Sequence, residues 1–222
     1  MHLVFRLLGL FSLVIALGWF SATAKVPKRL ATQPTEPAPS VSPLTVSSLT
    51  AMPEQVVTDF TPIPAEAARW RNIDDTVMGG ISQGEMLVSE QGTGVFRGTL
   101  SLENNGGFSS VRRDASDHDF SAVNRISARV KGDGRRYQLR LQTRDADRIT
   151  YRAAFETVAN EWQTVTVALE DFEPVFRGRV VASAPLLNTE EMSTDGIYEV
   201  GFLIADGKSG EFRLEVDWIK VE

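Results

Sequence analysis

The chain has 222 residues, 42% of them hydrophobic, with no cysteine, two histidines and a net charge of −6. This is enough apolar material for one core. With only His118 outside the amino-terminal segment, ligand count excludes structural zinc, cysteine–histidine pairs and iron–sulfur clusters, and leaves only a hard, oxygen-ligated ion such as calcium. From residue 65 onward 26 acidic residues face 19 basic ones, which argues against nucleic acid as a partner. Of those basic residues 16 are arginine, whose planar fork suits carboxylate, amide and hydroxyl recognition or cross-strand pairing.

Arg6 precedes an uncharged apolar run from Leu7 to Phe20, and Ala22-Thr-Ala24 follows as a small-residue cleavage signature. Residues 1–24 are therefore expected to be an export signal, cut after Ala24, which would place the protein outside the cytoplasm, most simply in the periplasm. Lys25, Lys28 and Arg29 lie just beyond the cut, so an uncleaved anchor is the other reading of this front end. Residues 25–64 hold eight of the ten prolines, mixed with Ser, Thr and Ala. Such a composition cannot bury enough apolar area to offset its ordering entropy, and predicts an extended tether that folding does not need.

From residue 65 to 222 the pattern is period-two with glycine punctuation, the signature of strands. The clearest are Val95 to Leu102, Ile126 to Val130, Tyr137 to Thr143, Thr150 to Phe155, Trp162 to Leu169, Val200 to Ile204 and Glu211 to Lys220. In the last, Phe212, Leu214, Val216 and Trp218 alternate with charged residues, so one face is expected to enter a core. Tyr137, Leu139 and Leu141 alternate in the same way with Gln138, Arg140 and Gln142. Short strands at this density predict an all-β, antiparallel two-sheet sandwich of the jelly-roll kind. The sole helical hint is one turn over Thr189-Glu-Glu-Met192.

Four clusters mix glycine with Asn, Asp or Arg: Asn72 to Ser82, Asn104 to Arg112, Lys131 to Tyr137, and Phe176 to Arg179. Turn-forming and bulge-forming roles account for much of each, since Gly and Asn accept positive φ and Asp caps turns. Asp74 and Asp75 are adjacent, and consecutive strand residues point to opposite faces, so they do not make the spaced carboxylate pair of a glycosidase. Asp74 and Asp217 could instead meet at one rim and hold calcium. A triad built on His118 lacks the Gly-x-Ser-x-Gly setting, and the polar run around it reads as a solvated loop. No nucleophile, base or cofactor motif stands out, and no catalytic residue is assigned.

Trp70 to Gly84 (WRNIDDTVMGGISQG), Phe96 to Phe108, Gly132 to Tyr137, Trp162, Phe176 to Arg179 and Gly210 to Leu214 together resemble the complex I intermediate-associated protein 30 family, in order and over essentially all of 65–222. The resemblance implies a fold similar to galactose-binding-like jelly rolls and family 11 carbohydrate-binding modules. It also implies a non-catalytic role, since the mitochondrial member is an assembly factor for respiratory complex I. In such a family Asp75, Met78, Gly79 and Gly80 would form a recognition loop beside Asn104, Asn105, Gly106 and Gly107, with Arg112 and Arg177 as donors.

Two functions compete. One is a module that binds a protein client, membrane-associated in keeping with the front end, with no cofactor; the other is a carbohydrate-binding module of the cell envelope. Trp162, Tyr137, Phe212 and Trp218 fall on core-directed alternations, which leaves Tyr151 and Tyr198 as free aromatics for a sugar platform and favours the protein client.

Overall fold

The computed structural model describes residues 54–61, 64–146 and 148–222. The expected export segment over 1–24 lies outside the described residues, as does most of the tether expected over 25–64. The described residues form thirteen strands: β1 (Gln55–Thr58), β2 (Trp70–Asp74), β3 (Gln83–Val88), β4 (Gly94–Leu100), β5 (Ser109–Asp114), β6 (Arg125–Lys131) and β7 (Arg136–Thr143). They continue with β8 (Thr150–Glu156), β9 (Trp162–Ala168), β10 (Glu173–Phe176), β11 (Arg179–Val180), β12 (Ile197–Ile204) and β13 (Gly210–Val221). One short helix, α1 (Pro64–Ala68), precedes β2.

The strands form two sheets in which every named pair is antiparallel. The six-stranded sheet has the order β3-β4-β13-β6-β9, with β1 added beside β13, and the seven-stranded sheet has the order β11-β10-β8-β7-β12-β5-β2. Alternate residues of both sheets meet in one core, as the period-two pattern predicts. Its centre is a run of rings: Phe212 to Phe96 at 4.8 Å, Phe96 to Tyr137 at 6.4 Å, Tyr137 to Phe155 at 6.2 Å and Phe155 to Phe202 at 6.4 Å. Edge-on and offset contacts at these spacings are the favoured aromatic geometries. The all-β sandwich expectation thus holds.

The tether expectation is corrected at its carboxyl-terminal end. Gln55 and Val56 pair with Val221 and Lys220, and Val57 and Phe60 are fully buried. The Phe60 ring stacks on Trp70 at 5.5 Å. Glu66 of α1 binds this corner together: it accepts hydrogen bonds from Thr58 Oγ1 (2.7 Å), Trp70 Nε1 (3.1 Å) and Arg113 Nε (2.8 Å). Burial alone would raise the Glu66 pKa, but Arg113, Thr58 and Trp70 outweigh it and hold the carboxylate below its usual range. The sandwich therefore begins by residue 55 and not at 65, because four residues among prolines are enough to complete a sheet edge.

Three aromatic expectations also change. A register shift in β13 between Val216 and Trp218 moves the inward phase to Ile219 and Val221, which are buried, and leaves Trp218 partly exposed beneath Lys220. Trp162 is 38% exposed on the outer face of β9, with Arg129 at 4.8 Å and Lys131 at 5.2 Å from its ring. Tyr151, expected to be free, is fully buried and donates its hydroxyl to the Pro185 carbonyl at 2.9 Å. The turn at Thr189 to Met192 is an antiparallel bridge closed by two backbone hydrogen bonds, not a helical turn.

Candidate functional site

Asp75, half of the carboxylate pair that dominates Asn72–Ser82, has no exposed surface. It opens a short 3₁₀ turn, Asp75–Met78, between β2 and β3. Its Oδ1 accepts the Ser82 amide (2.9 Å), and its Oδ2 accepts Ser82 Oγ (2.5 Å) and the amides of Gly107 (2.6 Å) and Phe108 (3.3 Å). Burial raises its pKa, but these donors outweigh burial and keep the group ionised below its ordinary 3.8. One carboxylate therefore fastens the loop after β2 to the turn before β5. The glycines around it leave room for this: a Cβ on Gly80 would lie 2.3 Å from Asp75 Oδ1, and one on Gly106 would lie 2.6 Å from Oδ2. Gly79 closes the 3₁₀ turn at φ 92°, a left-handed position.

What this fastening holds outward is apolar. Val77 is 74% exposed and Met78 61% exposed. Both line a cleft of about 750 Å³ on the outer face of the seven-stranded sheet. Ile73, Phe108 and Leu203 continue the apolar wall, and Arg112, Arg140, Arg152 and Arg177 supply the charge.

Strand register explains how the arginines come together. Arg152 of β8 lies directly opposite Arg140 of β7, Arg140 opposite Gly201 of β12, Gly201 opposite Arg112 of β5, and Arg112 opposite Arg71 of β2. One row straight across the sheet thus carries four arginines around a single glycine. A Cβ on Gly201 would lie 2.1 Å from the Val111 carbonyl oxygen, so the middle of the row stays a notch. Like charges placed directly opposite one another destabilise a sheet. Among the described residues, acidic relief is present only at the flanks: Glu173 accepts Arg152 Nε at 3.0 Å, and Glu199 is shared by Arg71 and Arg112.

Arg140 receives none of it. The residue is 8% exposed, its Nη1 donates to Gln138 Oε1 at 3.2 Å, and its Nε has no partner among the described residues. Burial first, and then Arg112 and Arg152, pull its pKa down to about 10. A buried cation with amide contact alone costs the fold free energy.

Of the residues expected to form the site, Met78, Asn105, Gly106, Gly107, Arg112 and Arg177 line this one cleft. Gly79, Gly80 and Asn104 do not line it: Gly80 is buried against Asp75, and Gly79 and Asn104 are exposed. Asp75 is corrected from contact residue to buried fastening. Arg140, Arg152, Gln138 and Leu203 were not anticipated, although the alternation of Gln138, Arg140 and Gln142 with core residues carries the signal. The pair considered for calcium is separated: Asp74 sits on β2 and accepts Ser109 Oγ at 2.6 Å, whereas Asp217 sits on β13 of the other sheet and pairs with Arg129. Among the described residues, no three His, Asp or Glu side chains are placed to share a metal. His118 is largely buried beside Asp117, not solvated, and burial lowers its pKa.

A second depression, of about 840 Å³, crosses β3, β4 and β13. Its arginines are matched within the fold, Arg97 by Glu85 and Arg213 by Glu215.

The chain is an antiparallel jelly-roll sandwich with a cleft on the open face of one sheet. Two solved structures share this fold, both family 11 carbohydrate-binding modules of Clostridium thermocellum. One, from a cellulosomal cellulase, is 18% identical at a TM-score of 0.54, covering 78% of this chain and 95% of that one. The other, in complex with a mixed-linked β-1,3-1,4 tetrasaccharide, is 19% identical at 0.52, covering 76% and 94%. The sequence is more specific. A model of the family described as Complex I intermediate-associated protein 30 (CIA30) matches residues 58–216, and the chain belongs to that family. The Caenorhabditis elegans protein named "Probable complex I intermediate-associated protein 30, mitochondrial" is 25% identical over 166 residues. That match takes in 64% of this chain but 46% of the relative, so the chain spans about half the length of the curated relative. No described helix is long and apolar enough to cross a membrane.

Proposed function

We propose that this protein is a non-catalytic module that binds a protein client in the cleft and assists the assembly or stability of a membrane-associated complex. The relative's name supports a client among respiratory complex I intermediates. The observation that carries the reading is the pair Val77 and Met78: large apolar side chains held out at the mouth of a charged cleft by a loop fixed from behind. Exposed methionine adapts to a partner surface, and arginine supplies directional hydrogen bonds beside it. This reading invokes no metal or cofactor.

The test is capture of a client from detergent-solubilised membranes by the tagged full-length chain. Met78→Ala should leave stability within about 0.5 kcal/mol, as surface changes do, while capture falls severalfold. If Met78→Ala instead costs the 2 to 5 kcal/mol of a buried truncation, roughly, and capture by the folded fraction is unchanged, the loop is a core plug and the reading fails.

The carbohydrate alternative draws on the shared fold and on Trp162, the exposed aromatic of the six-stranded sheet. Its ring carries two cations and lies on the sheet face away from the cleft, which weakens it as a sugar platform. Retardation by mixed-linked β-glucan in an affinity gel, abolished by Trp162→Ala, would favour that alternative. Export is part of the proposal: amino-terminal sequencing should return Lys25, and a mature protein that begins at Met1 would mean an uncleaved anchor.

A further inference from the structure

We propose that the arginine row is a receptor for carboxylate side chains, and that the cleft takes a peptide segment in which Asp or Glu stands beside a large apolar residue. This rests on the reading of the cleft as the client-binding face, and names the chemistry of what binds there.

Three observations converge. Arg140 is a buried guanidinium on the floor of an open cleft, with an unpartnered Nε and no ion pair to a carboxylate among the described residues. A fold gains nothing by holding such a charge unless something arrives to meet it. Arg177 stands over the Phe176 ring at 5.4 Å and likewise has no carboxylate partner among the described residues. These cations sit on a chain whose net charge is −6, so the patch runs against the composition around it.

The second strip of the cleft selects the kind of anion. Leu203 pairs with Gln138 on one side and Ser110 on the other, and Ser110 pairs with Ile73. This strip is two residues further along each strand than the arginine row, about 7 Å away. Val77 and Met78 extend it beyond the sheet edge. A free phosphate would use the arginines and ignore the strip, and an acidic sugar would set hydroxyls against it. An acidic residue with an apolar neighbour fills both strips at once. Gly201, which carries no side chain between Arg140 and Arg112, lets the ligand come down to both guanidinium groups.

The experiment is calorimetric titration of the full-length chain in non-ionic detergent with four probes. These are acetyl-Glu-Leu-Glu-Leu-amide, its Gln-for-Glu twin, inorganic phosphate and glucuronate. The acidic peptide should bind at least tenfold tighter than its amide twin and tighter than either small anion. In Arg140→Met the preference for Glu over Gln should disappear while the ligand-free melting temperature rises, because the unmatched buried charge is gone. Arg140→Gln is the substitute should the Met variant fail to fold, and exposed-rim Arg177→Ala should weaken the acidic peptide without moving the melting temperature.

Equal binding of the two peptides, or an undiminished preference in both Arg140 variants, overturns the proposal. So does tighter binding of phosphate or of glucuronate, which would make this a phosphate or acidic-sugar site. Client capture separates this result from the reading beneath it. If Met78→Ala abolishes capture and Arg140→Met does not, the cleft stands as the client face and the carboxylate receptor falls; if neither changes capture, both fall.

Discussion

A chain shortened to begin at residue 65 is expected to lose about 5 kcal/mol or more of folding stability, and with it cooperative unfolding near body temperature. The shortened chain lacks Phe60 and Val57, both in the core, and the strand that pairs with the end of β13. A buried Phe alone is worth roughly 3 to 5 kcal/mol on truncation, and whole domains are stable by only about 5 to 15. The deletion also strips Thr58 from Glu66 and opens a cavity against the Trp70 ring and Gly94, where the Phe60 ring now packs. Thermal unfolding of chains that begin at residue 54 and at residue 65 checks this. Melting temperatures within a few degrees of each other would return the segment to the tether.

Asp75→Ala should be the most damaging single change in the candidate site, at about 3 to 5 kcal/mol or roughly 10 °C in melting temperature. It leaves three backbone amides and one hydroxyl without their acceptor in a buried setting. Asp75→Asn should cost less, since the shape survives, but it turns an NH₂ group toward donors. The pH dependence has a definite sign. The folded carboxylate titrates below its ordinary 3.8, so its contribution is complete above about pH 5 and is lost as pH falls through the folded value. The Asn variant should therefore show a shallower acid limb in a pH series of melting temperatures. An unchanged melting temperature for Asp75→Ala would mean that the loop is not fastened from behind.

The two changes probe what was readable from residues alone and what was not. Strands β4, β6, β7, β8, β9, β12 and β13 announce themselves, because alternation of apolar and polar residues is a local property. β5 does not: its sequence Ser109-Ser-Val-Arg-Arg-Asp reads as surface, yet Ser109, Ser110 and Arg113 are buried. They are satisfied by partners far along the chain, Ser110 by the Phe202 carbonyl and Arg113 by Glu66. β1 is hidden for a similar reason, since only β13 makes it a strand.

The loop residues of the candidate site were legible through the family resemblance, since glycine beside Asp or Asn by itself reads as a turn. Arg140 and Arg152 were not. Each is ordinary in its own strand, and the row exists only once the register of β8, β7, β12, β5 and β2 is known. The inward phase of Trp218 was misread because a bulge adds one residue without altering the pattern before it.

The pairing of β1 with β13 also governs how the domain is made. The Lys220–Glu54 ion pair beside that junction spans 166 positions, and β13 holds β4, β6 and β1 together in one sheet. Until β13 is in place, the β3–β4 hairpin and the β6–β9 pair, whose two strands are separated in sequence by β7 and β8, are not joined into one sheet. Contacts of such long range close late and slowly, because chain entropy is lost before they give anything back. The six-stranded sheet is therefore joined only after β13, its last strand in chain order, has been made.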